Sequence, residues 1–315
     1  MARSLPGAVR IVEVGPRDGL QNEAKGVATA DKIRLIERLA AAGLPHVEMT
    51  SFVNPKWIPP LADAFEVATG VRKKPGVVYS ALVPNLKGYE RAREAGIDTC
   101  VLFLSASETH SRKNINKSVA EALEAYREVA AAALADGKAL RAYISTVFGC
   151  PYEGEVPVAA TIDIARALLD MGVAEVSLGD TTGLGTPGQV EAYLSSIFAA
   201  LPRERFACHF HDTRGTALVN ALVALEQGVT TLDASVGGLG GCPYAPGATG
   251  NLATDDLLYM LDALGIETGV DREGVLEITR WICRDVLGID IPSRYAKAEL
   301  AARGRDAAKE SAASA

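Results

Sequence analysis

A closed (β/α)8 barrel, the TIM-barrel class of α/β fold, with additional C-terminal helices is what the sequence predicts, and three observations predict it. Short β-branched runs bounded by Gly, Pro or Asp alternate with longer Ala/Leu/Glu-rich stretches of helical period. The alternation runs through eight units in about 265 residues, close to the size of one such barrel. Gly43, Gly96, Gly137, Gly172, Gly228 and Gly265 each close a helical stretch, where a left-handed C-cap favours glycine. An open doubly wound sheet shares the alternation, but eight units without a break favour closure.

Taken in order, the strand at Val9–Val14 is followed by a helix over Ala30–Ala42, and His46–Thr50 by Ala62–Lys73. Val77–Val83 leads to Asn85–Ala95, and Thr99–Ala106 to Val119–Ala135. Leu140–Val147 pairs with Val158–Met171, and Glu175–Asp180 with Pro187–Ala200. Phe206–Asp212 precedes Gly215–Gln227, and Thr231–Val236 precedes Thr254–Leu264. Residues after Asp271 read as helices packed on the barrel. One catalytic domain is therefore expected over residues 1–295, with a helical extension from about 271. Residues 296–315, rich in Ala, Lys, Arg and Ser without an apolar face, read as a flexible tail.

Composition narrows the function. The chain is 48% hydrophobic and 23% charged, that of a globular protein with a large core. A net charge of −7 argues against nucleic acid, and no apolar run is long enough to span a membrane. An anionic substrate must then be held by local positive groups or a metal. Five scattered cysteines without a C-x-x-C pair indicate reduced thiols and a cytoplasmic setting.

In such a barrel, chemistry sits at the C-terminal ends of the strands, and the unusual residues fall there. His209 and His211, two of only four histidines, share one strand face about 7 Å apart and can grip a single cation. Strand one runs into Arg17-Asp18 in a loop stiffened by Gly15, Pro16 and Gly19. Asp18 is a natural oxygen ligand, and Arg17 suits an oxyanion or carboxylate. Glu48 lies between Val47 and Met49 in a strand with no free edge, so it needs a partner, for which Arg17 is the candidate. Strand six ends on Asp180. Six glycines among residues 237–250 read as a mobile lid whose reactive side chain is Cys242. Asn251 completes an Asp/His/His/Asn set, whose mixed N and O donors without thiolate favour Mg2+ or Mn2+. Gly183-Leu-Gly185-Thr-Pro-Gly188 matches a dinucleotide motif formally, yet sits in unit six of a regular series. Cys150 reads as a packed thiol in a tight loop.

The stretches Val12–Glu23, Thr50–Val53, Lys113–Asn116, Gly149–Gly154, Ser177–Thr181 and Gly250-Asn251 together resemble the 3-hydroxy-3-methylglutaryl-CoA lyase family, from about Val9 to Val270. The resemblance implies a metal-dependent lyase barrel, usually a homodimer, with a place in leucine degradation or ketone body metabolism. It implies Asp18, His209, His211 and Asn251 as ligands of Mg2+ or Mn2+. Arg17, Asp18, Glu48, Asp180, His209 and Cys242 would be catalytic, while Arg17, Gln21, Ser51, Lys113 and Asn114 would meet the acyl-CoA. The expected reaction is retro-Claisen cleavage to acetyl-CoA and acetoacetate, with His209 or Asp180 as base, Arg17 on the enolate and Cys242 as acid. Departures at Phe210, Gly237 and His110 leave the acyl group open. Alternatives are a sister lyase on citramalyl-CoA or a longer 3-hydroxy-3-alkylglutaryl-CoA, a Claisen-type synthase, or a non-catalytic CoA- or metal-binding barrel.

Overall fold

The structure, a computed structural model, describes residues 5–241 and 250–313. Eight parallel strands close in chain order into a barrel: β1 (Arg10–Glu13), β2 (His46–Ser51), β3 (Val78–Leu82), β4 (Thr99–Ser105), β5 (Ala139–Ser145), β6 (Glu175–Asp180), β7 (Phe206–Phe210) and β8 (Thr231–Ala234). Closure comes from β8 pairing with β1, Asp233 opposite Val12 and Ala234 opposite Glu13. Around the strands lie α1 (Thr29–Ala41), α2 (Ala64–Gly70), α3 (Leu86–Glu94), α4 (Glu108–Ile115), α5 (Val119–Ala135), α6 (Val158–Asp170), α7 (Pro187–Ala200), α8 (Ala217–Glu226) and α9 (Thr254–Ala263). The predicted units are all present, and the six helix-closing glycines all have positive φ. Among the described residues no helix is long and apolar enough to cross a membrane.

Strand parity divides the molecule. Outward positions such as Val47, Met49, Cys100, Leu102, Leu178, Cys208 and Phe210 join the apolar layer under the helices. Inward positions are largely polar, and they are paired. Arg141 donates to Glu175 (2.8 Å) and to Asp233 (2.7 Å), and the Ser177 hydroxyl donates to Asp233 (2.8 Å). A barrel interior with this much charge is stable because each charge meets its opposite out of water.

Three elements differ from the sequence reading. A π-helical turn, Gly15–Gly19, follows β1, because the amides of Asp18 and Gly19 both reach back to the Val14 carbonyl. The additional helix α4 forms after β4 because Ser107 caps it, its hydroxyl accepting the His110 amide. The C-terminus is also helical: α10 (Arg272–Arg280) and a π-helical turn, Trp281–Leu287, lead to α11 (Arg294–Ala313) in place of the expected tail. Its first turn is anchored, since Asp256 accepts the Ser293 hydroxyl (2.7 Å) and the Tyr295 amide (2.8 Å), and Ala296 is buried. An apolar-face criterion overlooks a helix held by its start.

Candidate active site

The C-terminal end of the barrel opens on a cavity of about 640 Å3. Arg17, Asp18 and Gln21 reach it from the turn after β1, Ser51 from β2, Tyr143 from β5, and His209 and His211 from the end of β7. The alternation along β7 turns both imidazoles inward, as the parity required. Asn251 lies forty residues beyond His211 in the chain, and a short return segment brings it back. The Asp212 amide donates to the Gly250 carbonyl (2.6 Å) and the Leu252 amide to that of Phe210 (2.9 Å), setting Asn251 in a β-bridge with His211.

One donor atom each from Asp18, His209 and His211 lies within 4.8 Å of the others. The two Nε2 atoms are 3.1 Å apart. Burial pushes the His211 imidazole down to about 3, leaving it neutral with a lone pair to give. Burial also opposes charge on Asp18, but Arg17 and the two histidines outweigh it and hold the carboxyl at about 2. Asn251 donates its amide nitrogen to Asp18 (3.0 Å) and to the Leu239 carbonyl (3.1 Å). Its Oδ1 is buried with no hydrogen-bond partner among the described residues. A carboxylate and two imidazoles that converge, with an unpartnered amide oxygen on the residue bonded to that carboxylate, fit a divalent cation.

Beside this cluster Arg17 forms ion pairs with Glu48 through Nε and with Asp18 through Nη1. The partner that a buried Glu48 required is thus Arg17. Tyr143 donates its hydroxyl to the other oxygen of Glu48 (3.0 Å), and burial keeps that phenol protonated. The Ser51 hydroxyl is buried without a partner among the described residues, so a bound polar group can satisfy it.

Other expected residues are placed differently. Asp180 has the parity of Val176 and Leu178, and it is not among the cavity-lining residues. Its carboxylate accepts the amides of Leu184 (2.9 Å) and Gly185 (3.1 Å), which makes it a fastener of the loop after β6; burial raises it to about 6. Asn114 lines the mouth, whereas Lys113 holds its ammonium 4.7 Å over the Tyr152 ring and Lys117 lines the cavity instead. Cys150 is buried against the Ser107 hydroxyl (3.0 Å), a packed thiol as read. Cys242 and the rest of the expected lid, residues 242–249, lie outside the described residues.

Sequence reasoning passed over Tyr143, Arg141 and Asp233. Asp233 is wholly buried, and its Oδ2 lies 3.4 Å from His209 Nδ1. Burial raises its carboxyl, but Arg141 overrides that and brings it to about 2, a fixed anion behind the imidazole. Such a partner orients a ligating histidine and presents Nε2 to the cavity. The signal was available: Arg141 and Asp233, like Glu48, are charged residues inside apolar strands that have no edge.

A family model described as HMGL-like matches residues 8–282. A hydroxymethylglutaryl-CoA lyase of Bacillus subtilis is 52% identical over 289 residues, covering 92% of this chain and 96% of the relative. A Pseudomonas aeruginosa protein named 3-hydroxy-3-isohexenylglutaryl-CoA/hydroxymethylglutaryl-CoA lyase is 51% identical, covering 95% and 99%. The structure of an HMG-CoA lyase from Acinetobacter baumannii, in complex with coenzyme A and 3-methylmalate, superposes with a TM-score of 0.89 at 39% identity, covering 93% of this chain and 95% of that one.

Proposed function

The chain belongs to the HMGL-like family, and we propose that it is a divalent-metal-dependent lyase that splits 3-hydroxy-3-methylglutaryl-CoA into acetyl-CoA and acetoacetate. The observation that carries the reading is the convergence of Asp18, His209 and His211 beside the Arg17–Glu48 pair in one cavity. The relatives named above, about half identical over nearly the whole chain, support the reaction.

Asp18, His209, His211 and Asn251 would hold the cation, Mg2+ or Mn2+ by the chemistry of the donors. When bound, it supplies Lewis acidity that lowers the pKa of the substrate's 3-hydroxyl. Of the two bases, His209 faces the cavity and Asp180 does not. His209 takes the hydroxyl proton, and the buried anion of Asp233, 3.4 Å from Nδ1, stabilises the imidazolium. Nε2 can serve as ligand or as base but not as both at once, so Asp18, His211 and Asn251 would be the residues holding the cation where His209 acts as the base. The alkoxide pair becomes the ketone of acetoacetate. The C2–C3 pair stays with the thioester as an enolate, whose charge Arg17 stabilises while Glu48 holds the guanidinium in place. Cys242 returns a proton to C2, giving acetyl-CoA.

A second reading, cleavage of 3-hydroxy-3-alkylglutaryl-CoA with a longer alkyl group, is favoured by the dual name of the Pseudomonas relative. Gln21, Ser51 and Asn114 would contact the acyl-CoA, a role supported by their place on the cavity wall. Family likeness alone supports a homodimer working in leucine degradation or ketone body metabolism, and the scattered cysteines support a cytoplasmic setting. A panel of CoA thioesters (3-hydroxy-3-methylglutaryl, longer 3-alkyl homologues and citramalyl), each with Mg2+ and Mn2+, tests the assignment. We expect the methyl substrate to give the highest kcat/KM. A preference for a longer homologue replaces it with the second reading, and no acetyl-CoA from any of them refutes both.

A further inference from the structure

Glu13 closes β1, but its side chain has the outward parity, away from the cavity and wholly buried. No ion pair involves it among the described residues. Its carboxylate is satisfied by three donors from three segments. Oε1 accepts the Gly15 amide (2.8 Å) and the Val236 amide (2.9 Å), and Oε2 accepts the Thr254 hydroxyl (2.7 Å). Gly15 opens the turn that carries Arg17 and Asp18. Val236 opens the turn that ends β8, and Thr254 opens α9 three residues after Asn251. The three segments that deliver two of the four proposed ligands therefore meet on one carboxylate.

The fit is close. A Cβ at position 15 would stand 2.6 Å from Glu13 Oε1 and 2.9 Å from Val236 Cγ1, so a residue larger than glycine would push the turn off its anchor. Asp255 extends the device by accepting the Gly237 amide (2.8 Å) and the Thr279 hydroxyl (2.9 Å), which ties the β8 turn to α10 of the C-terminal extension. Burying a carboxylate without a counter-charge is costly. An apolar residue would fill the space more cheaply, but it would leave two backbone amides and a hydroxyl unpaired.

We propose that Glu13 is a positioning residue, which sets Asp18 against Asn251 by fastening the β1 turn, the β8 turn and the start of α9 to one another. The inference rests on the reading of Asp18 and Asn251 as cation ligands. Glu13→Leu keeps the bulk but removes both acceptor oxygens, whereas Glu13→Gln keeps an oxygen for the two amides and can donate its NH2 to the Thr254 hydroxyl. Thr254→Val removes one bond and leaves the carboxylate, and Thr254→Ser keeps the hydroxyl.

The test is titration of chelator-stripped protein with Mn2+, with kcat, KM and thermal unfolding measured on the same samples. Glu13→Gln should stay near wild type, while Glu13→Leu should weaken Mn2+ binding by roughly tenfold or more, the scale of losing an outer-shell partner, and lower kcat with KM within about twofold. Thr254→Val should move both in the same direction by less, and Thr254→Ser should restore them. If Glu13→Leu does not fold, the two Thr254 variants decide alone. Variants that unfold earlier yet bind Mn2+ and turn over as wild type does would show Glu13 to be purely structural, overturning this inference alone. Wild type that binds no Mn2+ would overturn the metal reading and this inference with it.

Discussion

Arg17 and Glu48 meet inside the barrel with side-chain exposures of 9% and 0%, and the pair illustrates how single residues are governed here. A buried charge needs an opposite charge or several hydrogen-bond donors within reach, and removing one partner of a buried ion pair strands the other at a cost of about 3–5 kcal/mol. Arg141 with Asp233 and Glu175 obeys the same rule. His46 is the counter-case. It lies buried inside the barrel with its Nε2 2.8 Å from the Ser80 hydroxyl, and burial, then Arg141 and Arg10, push its imidazole down to about 3. Since the folded value lies below the ordinary 6.5, the unfolded chain takes the proton first on acidification. The contribution is intact above pH ~6.5 and is lost progressively as pH falls toward the folded value, by about 2 kcal/mol between pH 7 and 5. We predict that His46→Gln loses less stability than wild type over that range, by about this amount, in urea unfolding at each pH. Equal losses would show that His46 is not held neutral.

At the scale of elements, the turns rather than the strands carry the site. The β1 turn and the β8 turn approach each other at Gly240, where φ is +100° and an added Cβ would lie 2.6 Å from Asn251 Nδ2 and 3.1 Å from the Gly19 Cα. Alanine there is strained by its φ and presses on one proposed ligand and the turn bearing another. Gly240→Ala should weaken Mn2+ binding roughly tenfold or more, while Gly188→Ala, whose methyl meets nothing within 4 Å, should not. Calorimetric titration of both variants is the check, and equal affinities would refute the crowding argument. This scale is also where the sequence was least legible. Strands and long helices announce themselves by period, but α4 depends on a single cap at Ser107 and α11 on the fastening of Ser293 and Tyr295 to Asp256. Asp180 was readable and misplaced: it shares the outward parity of Leu178, yet its position at a strand end weighed more than its direction.

For the whole molecule, closure of the barrel makes the site possible. Only a closed sheet brings β1 against β8, and with them Asp18 and Asn251, residues 233 apart in the chain, to a 3.0 Å hydrogen bond. The eightfold alternation made closure legible, and parity on β7 gave the direction of both histidines. The pairing inside the barrel was legible only for Glu48, because the inward partners Tyr143, Arg141 and Asp233 come from strands whose neighbours are known only once the order is known. The most direct measurement is acetyl-CoA release from 3-hydroxy-3-methylglutaryl-CoA by chelator-stripped protein, before and after Mn2+ is returned, beside His211→Ala. We predict that release stops on stripping, returns with Mn2+ in wild type, and does not return in the variant at the same concentration. Release at full rate without metal, or a His211→Ala protein restored like wild type, would contradict the account.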